Sequence, residues 1–427
     1  MSYARLSSAI CTLLASLALL SACAGASPSA PTAVPATTAP TAAPSVTEPP
    51  AATPATTTLP APSPTPEPGT ALLPAPLYVL AGGQIVRIER DGETQTQITN
   101  ETPPAPDALS IVQFDVSRTD ESIVYVVQGA GTPSLLVRTA ADGSNRTVLL
   151  DKLFVNSPHI SPDGASIVLS VSEDYERSDA QAPGLYVMPI TGGEPRLILP
   201  NEPATDPTAA GGDGRGFEAV AWSPDGTKLL VNAFSLSVEL CELAVLDVAS
   251  GAVTYLQAPK PDLVASCTAA AWSSDSKTVY FSVTYPSRLI NEPGIWRGDV
   301  ASGAATSIPV EPANAIVHTP FYAVDRLYAF VAPLPGANPP LAADIPDYPV
   351  LSYTMNSVPL AGGAFAALRS DTHVLYKALW APDGSGAIIF ESSDPMTVRL
   401  LWLPTDGGPA VELYKGLDVY EVHWGRS

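Results

Sequence analysis

The chain has 427 residues, 46% hydrophobic and only 15% charged, with 42 acidic against 21 basic side chains and a formal net charge of −21. That balance argues against nucleic acid as a ligand, since phosphate binding needs a basic footprint, and against docking of the folded part on anionic lipid. It favours solubility and is compatible with cationic partners.

Met1 to Ala22 carries one Arg, an apolar run from Ile10 to Leu20 and small residues before Cys23, the layout of a secretory signal. The run is too short to stay in a bilayer as a spanning helix. Leu20, Ser21, Ala22 and Cys23 resemble a bacterial lipobox, which implies cleavage before Cys23, lipidation of its thiol and an extracytoplasmic, membrane-anchored protein. Cys11 leaves with the signal. From Cys23 to Pro76 the chain is almost wholly Ala, Pro, Thr and Ser, with Glu48 and Glu67 its only charges. Such a composition cannot bury a core. At about 3.1 Å per residue in polyproline II, some fifty residues reach on the order of 150 Å, so this segment reads as a disordered tether.

The remainder, Leu77 to Ser427, reads as all-β. Alternating or β-branched runs occur at Leu77–Leu80, Ile85–Ile88, Ile123–Val127, Ile167–Val171, Leu185–Pro189, Leu229–Phe234, Leu243–Val248, Val279–Val283, Leu327–Val331 and Val398–Leu403. No window sustains a period of 3.6. Hairpin turn pairs such as Asp91-Gly92, Asp142-Gly143, Ser250-Gly251 and Asp406-Gly407 separate them. A unit also recurs: Ser161-Pro162-Asp163-Gly164, Ser223-Pro224-Asp225-Gly226, Ser273-Ser274-Asp275 and Ala381-Pro382-Asp383-Gly384, with Trp222, Trp272 and Trp380 before the last three. Four-strand repeats of roughly 40 to 60 residues are the signature of a β-propeller.

The ends of the repeat array are complementary. Leu77 to Thr99 supplies three strands without the inner one, and Val419 to Gly425, with His423 and Trp424, supplies an inner strand with nothing after it. The last strand is therefore expected to close the first blade, which removes an open edge. Further blades begin near Ile111, Pro158, Phe217, Thr268, Ala315 and Val374, giving seven. A six-bladed ring requires the divergent stretch from Tyr322 to Arg369 to be something else.

The Ser-Pro-Asp-Gly turns and the preceding tryptophans resemble the TolB-like, WD40-like propeller repeat of bacterial envelope proteins, over nearly all of the folded part. Ser117 to Asp120 and Val324-Asp325 depart from the motif. The resemblance implies fold more than function, because the same repeat serves binding scaffolds, the propeller halves of prolyl-oligopeptidase-like enzymes and some polysaccharide lyases. The repeated Trp reads as a wedge packed between blades, and the repeated Asp as a turn residue bonding its own backbone.

Loop length carries the functional signal. Connections from first to second and from third to fourth strand are short, whereas those from second to third strand and from blade to blade hold every long insertion, so one face is the expected working surface. Its candidate binding residues are Asp174, Tyr175, Arg177, Asp213, Arg215, Tyr285, Arg288, Glu292, Asp347 and Tyr348, with Glu218 nearby. Carboxylates with Tyr and Arg suit a basic peptide, a glycan or a hard cation such as calcium, although no EF-hand spacing is present. No Gly-x-Ser-x-Gly, His-Glu-x-x-His or phosphate-cradling loop occurs. Of four histidines, His159 and His423 fall on inner strands near the channel, and His318 and His373 near blade entries. Structural histidines are expected, with a shared channel metal as the other reading. Cys241 and Cys267, an even pair in an exported chain, read as a disulfide between neighbouring blades. Cys241 is expected to open a third strand and Cys267 to precede a first strand.

The sequence thus predicts a lipid-anchored, extracytoplasmic, monomeric propeller that binds a protein or glycan partner of the cell envelope and needs no cofactor. A glycan- or peptide-active enzyme with its site at the channel is the alternative. The two separate on whether channel histidines and carboxylates converge.

Overall fold

The computed structural model describes residues 71–103, 110–128, 133–172, 182–203, 214–235, 241–257, 264–284, 294–323, 325–333, 351–394, 397–416 and 419–427. The expected signal and nearly all of the expected tether, with Cys23, lie outside them. The described strands form seven four-stranded antiparallel sheets, so the ring has seven blades and the divergent stretch is one of them.

Blade 1 orders β30 (Val419–Trp424) innermost, then β1 (Leu77–Ala81), β2 (Gln84–Ile88) and β3 (Gln95–Gln97). Blade 2 is β4 (Ile111–Val116), β5 (Ile123–Val127), β6 (Ser134–Thr139) and β7 (Thr147–Leu153). Blade 3 is β8 (Val155–Ile160), β9 (Ser166–Val171), β10 (Gly184–Pro189) and β11 (Arg196–Pro200). Blade 4 is β12 (Arg215–Trp222), β13 (Lys228–Ser235), β14 (Cys241–Asp247) and β15 (Val253–Tyr255). Blade 5 is β16 (Val264–Trp272), β17 (Thr278–Thr284), β18 (Ile295–Asp299) and β19 (Ala305–Ile308). A short strand β20 (Val310–Glu311) then pairs in parallel with β24 (Gly363–Ala364), tying blade 5 to blade 6. Blade 6 is β21 (Ala315–Tyr322), β22 (Arg326–Pro333), β23 (Thr354–Pro359) and β25 (Ala366–Ala367). Blade 7 is β26 (Leu375–Trp380), β27 (Gly386–Asp394), β28 (Thr397–Pro404) and β29 (Val411–Gly416).

Closure occurs as the sequence predicts: β30 pairs with β1, placing Tyr78 opposite His423 and Leu77 opposite Trp424. The folded part starts earlier than Leu77, however. Leu73 and Ala75, at the end of the expected tether, are buried, and Leu73 N–H donates to Arg90 O at 2.9 Å. Two leucines in a Pro- and Ala-rich stretch suffice to dock these residues on blades 1 and 7.

The core is a ring of wedges. Seven apolar clusters each join two neighbouring blades, as where Leu77 and Val79 of blade 1 meet Phe390 and Trp402 of blade 7. The repeated Trp belongs to these wedges, and three indoles, though not that of Trp272, bond across them. Trp222 Nε1 donates to His159 O at 3.1 Å, Trp380 Nε1 to Thr319 O at 2.9 Å and Trp424 Nε1 to Trp380 O at 2.9 Å. The repeated Asp closes its turn, with Asp225 Oδ1 accepting from Ser223 Oγ at 2.6 Å and Thr227 N–H at 3.0 Å. In the blade 5 turn Ser276 stands in the glycine's place with φ 60, close to the φ 69 of Gly226, whereas in the divergent turn of blade 2 the residue of positive φ is Glu121, one place later.

Candidate functional site: the channel wall

Every blade carries an irregularity the sequence did not announce. In all seven, the register between inner and second strand shifts, and the inner strand has the surplus residues, as at Ile111/Gln113 in β4, Asn156/His159 in β8 and Leu375/Lys377 in β26. Such bulges re-aim side chains. They occur on strands whose other edge is unpaired, so backbone N–H groups on that edge need acceptors.

In blades 2 and 3 those acceptors are side chains of the preceding blade. Glu421 Oε2 accepts Phe114 N–H at 3.0 Å, Asp115 Oδ2 accepts Ile160 N–H at 2.6 Å, and Gln113 Oε1 accepts Ser157 N–H at 2.6 Å. The series continues into blade 4, where Ser157 Oγ donates to Glu218 Oε1 at 2.5 Å and His159 Nε2 lies 3.1 Å from Ala219 O. It begins in blade 7, where Lys377 Nζ donates to Tyr420 O at 3.3 Å and sits 5.3 Å from the centre of the Phe390 ring. Polar bonds therefore stitch five consecutive blades around the channel, across the closing strand.

At the centre of this wall His423 lies between two carboxylates. Its Nδ1 is 3.0 Å from Asp115 Oδ1; its Nε2 is 3.3 Å from Glu421 Oε1, an ion-pair distance without hydrogen-bond alignment. The Phe114 ring packs edge-on against it at 4.7 Å. Burial opposes the imidazolium, but Asp115 and Glu421 outweigh it and raise His423 to about 9. Burial likewise pushes the Asp115 carboxyl up, yet His423, His159 and Ile160 N–H hold it below its ordinary value. Glu421 is held down against burial by His423, Lys377 and Phe114 N–H. Lys377 is shifted down by burial, partly offset by Glu421. The wall is thus a packed set of mutually compensating charges.

Channel histidine and carboxylates do converge, the feature by which the sequence separates enzyme from scaffold. Their bonding identifies the work they do here. Both Asp115 oxygens and both Glu421 oxygens are engaged by backbone N–H groups or by His423, so these side chains tie neighbouring inner strands together. Among the described residues no group of three or more His, Cys, Asp and Glu is arranged to hold a metal ion.

The other histidines sit as follows. His318 lies within β21, which starts at Ala315 as expected; burial lowers it to about 4 and its Nδ1 is 2.6 Å from Thr319 Oγ1. His373 precedes β26, bonded to Asp371 Oδ2 at 3.0 Å and Glu391 Oε1 at 3.1 Å. It belongs to a lattice continued by Arg369, Arg399 and Glu412.

Of the candidate loop residues only Arg215 is described. It lies at the start of β12, 3.0 Å from Glu242 Oε2 and with its guanidinium 4.9 Å from the centre of the Tyr255 ring, so the cation is already partnered. Glu218 lies inside β12, on the channel wall and not in a loop. Asp174, Tyr175, Arg177, Asp213, Tyr285, Arg288, Glu292, Asp347 and Tyr348 lie outside the described residues. Cys241 opens β14 as expected, but Cys267 lies within β16 and not before it; the side chains of both are outside the description.

Sequence reasoning missed Asp115, Gln113, Lys377 and Glu421. A signal for Asp115 was present: it stands one place before the end of its inner strand, the register held by His159 and His423.

No protein-family model and no curated protein matches the chain. Solved structures do. TolB from Agrobacterium tumefaciens is 18% identical, aligned over 73% of this chain and 95% of that one with a TM-score of 0.41. A prolyl endopeptidase aligns at 11% identity over 82% of this chain and 51% of its own, with a TM-score of 0.54. The tricorn protease aligns at 10% identity over 80% and 33%, with a TM-score of 0.53. This chain spans about half of the first peptidase and a third of the second, and at these identities the likeness is one of fold: a seven-bladed β-propeller.

Proposed function

We propose that the protein is a binding scaffold, held at the outer side of a membrane by lipid on Cys23, that engages a protein or glycan partner of the envelope through the side of the ring bearing its long connections. One observation carries this reading. Connections within first-to-second and third-to-fourth strand pairs span three to seven residues wherever the chain is continuous, the first pair of blade 1 being joined by closure alone. Those on the opposite side reach 12 between β9 and β10, 14 between β11 and β12, and 20 between β22 and β23. A ring closed by pairing and stitched across its channel is a rigid base for such variable loops. The surplus of carboxylates favours a partner with cationic groups, and a loop-bound calcium ion is compatible with it.

Site-specific photocrosslinkers in cells test the reading. Adducts to one defined partner from Arg288 and Tyr348, and none from the tight-turn residue Ser274, are the expected result. Adducts from Ser274 alone overturn it. The enzyme alternative is favoured by the convergence of Asp115, His423 and Glu421. It predicts release of product from oligosaccharide or peptide pools that Asp115→Asn abolishes in a protein that still folds. The anchor is tested by Cys23→Ser, which is expected to move the protein from membrane to soluble fractions.

A further inference from the structure

The residue after each inner strand donates its N–H back toward the second strand, as Ser117 does to Ser122 O at 2.8 Å, and Ser161 to Ser166 O, Ser273 to Thr278 O and Ala323 to Arg326 O at 2.9 Å. Bonding alternates along an antiparallel edge, so the N–H one place earlier points away from the second strand, toward the channel. Those amides belong to Val116, Ile160, Trp272 and Tyr322, the last residues of β4, β8, β16 and β21. Where blade 2 meets blade 3, one carboxylate serves two of them: Asp115 Oδ1 accepts Val116 N–H at 2.8 Å and Asp115 Oδ2 accepts Ile160 N–H at 2.6 Å. Asp115 is the penultimate residue of β4, and its counterpart in β16 is Ala271. Where blade 5 meets blade 6, the equivalent amides of Trp272 and Tyr322 therefore flank a methyl group, and among the described residues neither has a side-chain acceptor.

We propose that this stretch of channel wall binds a small monocarboxylate with an apolar body, its two oxygens on the Trp272 and Tyr322 amides and its body against Phe321. Ala271 and Phe321, its counterpart in blade 6, are both half-buried. The Phe321 ring is held in place by stacking on Trp380 and Tyr328, with centres 5.7 and 6.3 Å apart. A pair of backbone donors and a fixed aromatic side chain thus adjoin. The occupant is a carboxylate because the ring itself places one on the equivalent pair at Asp115, and because bonds from N–H groups to an ionised acceptor are the stronger ones. The carboxylate nearest in sequence, Asp275, is engaged by its own turn, accepting from Ser273 Oγ at 2.7 Å and Lys277 N–H at 3.1 Å. This site is separate from the long connections and does not depend on a partner bound there.

The test is isothermal titration of the full chain with phenylacetate and with phenylacetamide, which keeps the apolar body and lacks the charge. Ala271→Asp puts a resident carboxylate on the two amides, as Asp115 does in blade 2. Ser274→Ala changes the exposed turn of the same blade and leaves the amides alone. The expected result is saturable binding of phenylacetate, weakened roughly tenfold or more for the amide and again by Ala271→Asp, with Ser274→Ala unchanged. The urea midpoint of Ala271→Asp shows whether its ring is folded, and the comparison of acid with amide needs no variant. No saturable binding of phenylacetate, equal binding of the amide, or undiminished binding by a folded Ala271→Asp overturns the proposal.

Discussion

The placement of His423 predicts an alkaline weakness in the ring. In the unfolded chain this imidazole titrates near 6.5; between Asp115 and Glu421 it is raised to about 9. Because the folded value is the higher one, the stabilisation is complete below about pH 6.5 and is lost as pH climbs through about 9. The difference corresponds to about 3 kcal/mol, with a slope of at most about 1.4 kcal/mol per pH unit between those limits. Lys377 acts with the opposite sign: its folded value is depressed, so its burial costs least once it is deprotonated. A comparison with His423→Gln cancels that contribution. The assay is urea unfolding of the chain from Ala24 onward, followed by tryptophan fluorescence, at intervals from pH 6 to 10. Trp380 and Trp424 are 5% and 2% exposed and report loss of the blade 7 and blade 1 wedges. The wild type should lose stability across this range relative to His423→Gln, which should be weaker at pH 6 and lack that decline. Parallel pH profiles for the two proteins would refute the assignment of His423 as a cation in the folded ring.

Other expectations follow from the wedges and turns. Gly303 has φ +71, and a Cβ there would stand 2.2 Å from Tyr255 O of the neighbouring blade, whereas a Cβ on Gly82, at φ +57, would meet nothing within 4 Å. Gly82→Ala should therefore cost about 1–2 kcal/mol, the conformational term alone, and Gly303→Ala clearly more by the same urea titration. Trp380→Ala should cost about 3–5 kcal/mol, and Trp424→Phe about 1–3 kcal/mol through the unpaired Trp380 carbonyl; equal stability of Trp424→Phe and wild type would show that the bond is unimportant. Removal of Val419–Ser427 uncovers the edge of β1 and should give oligomers on size exclusion, where a monomer of unchanged stability would contradict closure by β30. Non-reducing peptide mapping should find Cys241 joined to Cys267; two alkylated thiols would dismiss that pairing.

The blades were legible because their signals are local. A Ser-Pro-Asp-Gly turn specifies its own hairpin, and a Trp one residue earlier specifies a wedge, so repetition alone counted the ring and matched its two incomplete ends. The channel wall was not legible for the opposite reason. Phe114 and Glu421 are 307 positions apart, and Gln113 and Ser157 are 44 apart; closure of the ring, not any period in the chain, brings them together. A bulge leaves no compositional mark either, since the surplus residue in β4 is an ordinary Val and that in β26 an ordinary Tyr. Position misled in the same way at Cys267, which looks like an entry residue only while the start of its inner strand is drawn near Thr268 and not at Val264.

This division bears on where function lies. A catalytic acid or base must give up its hydrogen-bond partner to a substrate during turnover, whereas Asp115 and Glu421 hold the free edges of neighbouring inner strands together. Withdrawing either carboxylate leaves a backbone N–H unpaired in a packed wall, a cost of about 1–3 kcal/mol each. Substitutions on the inner strands are therefore expected to act through stability, and those on the long connections through binding with stability unchanged. The two effects should separate cleanly: Asp115→Asn should lower the unfolding midpoint while partner crosslinking from Tyr348 persists below that midpoint. Replacement of residues 334–350 by a short Gly-Ser turn should abolish the crosslink from Arg288 and leave the midpoint in place. If instead Asp115→Asn abolished the crosslink in a fully folded ring, the channel would be the binding site and the assignment of function to the loops would be wrong.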